Sequence, residues 1–256
     1  MEVHHHPEVE KKSFKEYILE GLMIFLAVTM GFFAESLREH INEHQRAKEY
    51  AVTLFADLKE DTAELHSYLN YTKKANANVD TLMQLLSDAD PKQAPTGKLY
   101  WFGLWGGAYR VFIPHNATLL EMKNSGALRY FANLPLNRKL AQYEQLCQNL
   151  STFENLTDGI YIEVRKFRAQ LFSFKYNARI NDISQIKDTK LRRAKIDSFV
   201  KTNPPLLSTD KVVFNQYVEL VRSRFFDRKI TFATDILNHA DTLIAELKKK
   251  YDVEGE

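Results

Sequence analysis

The segment GLMIFLAVTMGFFA, residues 21–34, carries no charged side chain, and this constrains the rest of the chain more than any other feature. Extended back through Tyr17, Ile18, Leu19 and the lone acid Glu20, it makes about 27 Å of helix, near the lower limit for crossing a bilayer. The main rival reading is a cleaved signal peptide, whose cleavage site wants small residues. Here the exit reads Gly31-Phe32-Phe33-Ala34-Glu35. An uncleaved anchor over residues 17–35 is therefore expected, with the lipid bilayer as its first partner. Residues 1–16 read as a short polar tail, with His4, His5 and His6 part of it. Charge leaves the orientation tied: Lys11, Lys12 and Lys15 precede the segment, and Arg38, Arg46 and Lys48 follow it. The short tail is the easier part to leave inside, which favours the bulk of the chain outside.

The helix is expected to run on past the membrane. From Leu37 a strict alternation of four and three passes through Ile41, His44, Lys48, Ala51, Phe55, Leu58, Thr62, Leu65, Leu69, Thr72, Asn76, Val79, Met83 and Leu86. This is a heptad seam, polar near the membrane and mostly apolar beyond it. Extended backward, it includes Ala34, Met30, Ala27, Met23 and Glu20. No glycine or proline interrupts Phe32 to Ala89, so one helix over residues 17–88 is predicted. It would project ~80 Å beyond the membrane. A seam of that length needs a partner, either later helices of the same chain or other copies.

DADPKQAPTG, residues 88–97, ends the helix. LYWFGLWGGAYRVFIP, residues 99–114, holds both tryptophans and reads as a short helix with a glycine turn, or as a loop. Its aromatics Trp101, Phe102, Trp105, Tyr109 and Phe112 make a candidate distal contact surface; the plainer reading is a cap on the far end of a bundle. Thr118 and Glu121 match a T-x-x-E capping box for a helix over 118–125, with Gly126 as its stop. Asn133 and Pro135 open a helix of about 40 residues whose apolar positions run from Leu136 to Phe174. A basic helix over 183–200 and a last helix from Ser208 or Thr209 to the lysines at 248–250 follow. Three long amphipathic helices predict an all-α, elongated antiparallel bundle over residues 36–256.

Composition excludes several functions. There are 35 basic and 33 acidic residues, a net charge of +2, so no global field draws nucleic acid. The single cysteine, Cys147, rules out an internal disulfide and reads as a small buried apolar group. No nucleotide, hydrolase or C-x-x-C motif is present, and no cofactor or catalysis is expected. The sequons at Asn70, Asn116, Asn149 and Asn155 matter only in a eukaryotic secretory pathway. His40-Ile41-Asn42-Glu43-His44 spells H-x-x-E-H, the letters of a zinc protease motif. It lies just beyond the membrane on a continuous helix, so a solvated interfacial face is the reading. Glu20 either reaches the headgroups or makes a polar contact with a partner helix. Ala27 and Gly31, with Ala34 nearby, form a small-x-x-x-small pattern that lets transmembrane helices approach closely. The candidate membrane contact is therefore Glu20, Met23, Ala27, Gly31 and Ala34.

FKEYILEGLMIFLAVTMGFFAESLREHINEHQ, residues 14–45, and the later LFADLKEDTAEL stand out, as does FIPHNATLLEMKNSGALRYFANLPLNRKLAQYEQ, residues 112–145. Together they resemble an uncharacterised family of single-anchor membrane proteins common in Bacteroidetes bacteria. The resemblance implies an inner-membrane anchor, a cytoplasmic N-terminus and a helical periplasmic domain, and it implies no activity. The expectation is a scaffold or accessory subunit that assembles with itself or with another inner-membrane protein. The second expectation is a periplasmic sensor-like bundle that signals through a partner.

Overall fold

The computed structural model describes residues 13–87, 90–131 and 134–253. The N-terminal tail with its histidines, and Asn133 as a helix cap, lie outside the described residues. Among these residues every regular element is helical. They are α1 (Phe14–Ser87), α2 (Thr96–Gly106), α3 (Ala117–Ser125), a single 3₁₀ turn (Ala127–Phe131), α4 (Leu134–Leu171), α5 (Phe174–Ser184), α6 (Thr189–Phe199), α7 (Lys211–Arg222) and α8 (Phe226–Tyr251).

The 74 residues of α1 form one unbroken helix, as the seam predicts. Ala51, Phe55, Leu58, Leu65, Leu69 and Val79 of the seam are buried. So is a third heptad position, through Ala47, Leu54, Asp61, Tyr68, Ala75 and Leu82. A stripe this wide suits a helix packed between several neighbours rather than a two-stranded coil. Later parts of the same chain supply those neighbours. Trp105 meets Tyr71, His115 meets Asp61, Thr118 meets Asp57, and Tyr130 meets Arg46, so the chain descends along α1. It then climbs in α4, where Tyr143 meets Asp61 and Glu154 meets Tyr68. It descends again in α7 and α8, from Phe225 near Phe153 to Lys250 at the Phe131 carbonyl. Thus α8 is antiparallel to both α1 and α4, while α4 runs parallel to α1. Apolar side chains gather into two clusters, one from Ala47 to Leu69 on α1 and one from Ala75 to Leu82.

Three boundaries differ from the sequence reading, each through a contact distant in sequence. The long helix expected to reach Phe174 ends at Leu171. There the Tyr100 hydroxyl takes the Ser173 N–H at 2.8 Å, and Phe172 turns into the upper cluster. The expected 183–200 helix begins later, where the Asp188 side chain accepts from the backbone of Lys190 and Leu191. The last helix is two. Asp210, rather than Ser208 or Thr209, caps α7. The chain then bends at Phe225, whose φ of 50° is left-handed. That conformation costs a non-glycine residue about 1–2 kcal/mol. The bend carries Arg224 inward, 1% exposed, to donate to the Ala108 carbonyl at 2.8 Å. Its guanidinium also lies 5.1 Å from the Tyr161 ring centre.

The glycines of α2 allow close packing rather than a turn inside the helix. At Gly97 a Cβ would sit 2.3 Å from the Thr202 carbonyl oxygen and 2.7 Å from that of Phe199. Gly97→Ala is therefore expected to destabilise the fold by about 2–3 kcal/mol, read from urea unfolding of the full chain. Unchanged stability would show that the Phe199–Thr202 backbone does not press against α2.

Candidate functional site

Below Arg46, which still reaches the Tyr130 hydroxyl, no other described helix packs against α1. No side chain between Phe14 and Arg46 is buried. Met23 is 64% exposed, and nothing lies within 4 Å of a Cβ built at Gly21 or Gly31. Glu20, Met23, Ala27, Gly31 and Ala34 share one face at heptad spacing, and that face continues through the exposed apolar residues Leu37 and Ile41. Thr29, inside the apolar run, satisfies its own hydroxyl by donating to the Phe25 carbonyl at 2.7 Å. About 20 Å of bare helix separates Ala34 from the domain's first buried residue, Ala47. His40 and His44 lie on this exposed stretch. Among the described residues, no three His, Cys, Asp or Glu side chains are grouped to hold a metal.

Inside the domain, sequence reasoning missed a buried carboxylate centre. Asp61 of α1 is fully buried. It accepts from the His115 backbone N–H at 2.8 Å, pairs with His115 Nδ1 at 2.8 Å, and accepts from the Tyr143 hydroxyl. One turn earlier, Asp57 accepts the Thr118 N–H at 3.3 Å. The two carboxylates of α1 thus hold the start of α3 from outside. The expected capping box is absent: Asn116 is the N-cap and makes no side-chain cap bond, and Glu121 instead accepts from the Tyr50 hydroxyl. Burial pushes the Tyr143 hydroxyl far up, and it pushes the neighbouring Cys147 thiol to about 12. So Cys147 stays a protonated, unreactive thiol, in keeping with the buried apolar reading. A second buried pair, the Tyr68 hydroxyl on Glu154 at 2.7 Å, lies higher in the bundle. The sequence signal was the third heptad position, where Asp61 is the one carboxylate in the series Ala47, Leu54, Asp61, Tyr68, Ala75, Leu82.

The distal aromatics do not form one surface. Phe112 is 3% exposed and belongs to the lower cluster. Phe102 is half-buried against the upper cluster, and Tyr109 packs its ring 5.0 Å from Tyr161. Trp101 and Trp105 instead line a groove between α1, α2 and the α5–α6 junction, together with Tyr71, Lys74 and Arg192.

These features define an all-α protein whose first helix is long and apolar enough, by length and composition, to cross a membrane. No protein-family model matches the chain, and neither a curated protein nor a solved structure matches it.

The hydrogen bond to Asp61 raises the His115 pKa, and the nearby charges of Asp61, Glu60 and Glu64 add to this against the opposing effect of burial. A histidine pKa raised by folding stabilises the fold fully below its unfolded value of about 6.5, and this stabilisation is lost as pH rises through the folded value. The melting temperature is therefore expected to fall modestly as pH rises above about 6.5. The effect is modest because the ring is 42% exposed and solvent screens it. Melting of the His115→Gln variant should lose that slope; an equal slope in both proteins would assign it elsewhere.

Proposed function

We propose that this chain is a membrane-anchored accessory or scaffold subunit. Its α1 helix inserts in the bacterial inner membrane and assembles there with another membrane helix, from a second copy or from a different inner-membrane protein. In this reading the N-terminus is cytoplasmic and the helical domain periplasmic. One observation carries the proposal: the apolar face of α1 is bare below Ala47, whereas the same seam is covered by the chain itself above it. An apolar helix surface in water is costly, at roughly 25 cal/mol per Å². A bilayer removes that cost for residues 17–35. The continuing exposure of Leu37 and Ile41 beyond them calls for a partner helix rather than lipid alone. The resemblance of residues 14–45 and 112–145 to single-anchor proteins of Bacteroidetes supports the compartment and orientation.

The contact is assigned to the small residues, because helices in lipid associate through close packing rather than through the hydrophobic effect. Ala27→Leu with Gly31→Leu should weaken assembly about tenfold, read as the mass of the particle purified in mild detergent. Phe25→Leu with Phe32→Leu, on the opposite face, should leave it unchanged. Assembly that survives the first pair would contradict the proposed contact.

A further inference from the structure

Both tryptophans of the chain line one half-open groove of about 450 Å³. That is the size range of small-molecule sites, about 300–1,000 Å³. Its aromatic walls are Trp101, Trp105 and Tyr71, and the rings of Tyr71 and Trp105 lie 6.1 Å apart and tilted. Its charged groups are two cations, Lys74 from α1 and Arg192 from α6, and among the described residues no carboxylate lines it. The Lys74 ammonium sits 5.2 Å from the centre of the Trp105 ring. Arg192 is anchored through Nη1 on the Ile186 carbonyl at 3.2 Å. Among the described residues neither cation forms an ion pair. Gln185 adds an amide at the edge. Further out, cations stand beside the carboxylates Asp182, Asp188 and Asp197. Arg110 lies 5.9 Å from the Tyr71 ring, and Lys190, Arg193 and Lys195 stand on α6.

The parts are complementary to one kind of molecule. Aromatic walls take a flat apolar body, since ring faces and edges pack on one another. A guanidinium and an ammonium with no carboxylate partner favour an anionic head, the guanidinium matching a carboxylate through two parallel hydrogen bonds. A cationic ligand would meet repulsion with nothing to offset it. We propose that the groove is a binding site for a small aromatic carboxylate, held with its ring against Trp101 and Trp105 and its carboxylate at Arg192 and Lys74. The site is independent of membrane assembly, since it lies about 55 Å along α1 from Ala34.

The chain's two tryptophans make their fluorescence a direct report on this groove. The test is a titration of the full chain in neutral detergent with phenylacetate, and separately with benzylamine, which carries the same ring and the opposite charge. A saturable change in tryptophan emission with phenylacetate alone is expected, weakening as salt is added. Arg192→Gln should weaken it about tenfold, the usual effect of losing one charge-assisted hydrogen bond. Lys74→Gln, at an exposed helix position that leaves the fold intact, should weaken it in the same direction. The proposal is overturned by an emission that phenylacetate does not change saturably, by an equal response to benzylamine, or by wild-type affinity in folded Lys74→Gln.

Discussion

One unbroken helix carries the whole structure, and most of the fold answers to that. α1 runs for 74 residues without a break. Isolated helices in water are marginal, and most of their stability in proteins comes from packing an apolar face. Above Ala47 that face is three heptad positions wide, so one neighbouring helix would not cover it. The chain therefore passes along α1 twice more in the descending direction, through residues 107–131 and then through α8, with α4 rising to complete the core. Leu54, Leu58 and Leu65 are each at most 3% exposed as a result. Each such side chain contributes on the order of 1.5–3 kcal/mol.

Specific polar groups decide how the returning chain lies on this helix. Apolar clusters tolerate sliding, whereas a buried carboxylate with fixed donors does not. Asp61 and Asp57 hold the chain at His115 and Thr118, which sets the height at which α3 begins. Tyr143 reaches the same Asp61 from α4, so one buried side chain joins three segments. Higher up, Arg224 reaches back to the Ala108 carbonyl, 116 residues earlier in the chain, and separates α7 from α8. Leaving such a buried group without its partner typically costs about 1–3 kcal/mol. These groups act as register pins between long helices that would otherwise have several near-equivalent alignments.

What was legible in the sequence follows the same division. The all-helical class, the full course of α1, and the left-handed Gly126 that ends α3 with a φ of 73° were readable from periodicity and local signals. The break at Phe225 was not, because SRFF is compatible with a helix until Arg224 finds the Ala108 carbonyl. The end of α4 was equally hidden, because it depends on the Tyr100 hydroxyl meeting Ser173. Glu121 matched a local cap on paper, yet α1 supplied the acceptors for the start of α3 and Glu121 bonded to Tyr50 instead. At the candidate sites, the sequence showed the apolar face of α1 as spacing, and the structure leaves that face exposed. The groove was visible only as a cluster of aromatics, since its cations come from α1 and α6, more than a hundred residues apart in the chain.

The central claim is that α1 continues rigidly from the apolar segment to the far end of the domain. Spin labels at the exposed positions Arg38 and Lys73, in a Cys147→Ala background, test it through their separation in a lipid bilayer. An unbroken helix places their backbones about 52 Å apart, in a single narrow distribution. A broad distribution, or one centred well short of that distance, would mean that the helix bends or melts between the apolar segment and the domain, and would contradict the account.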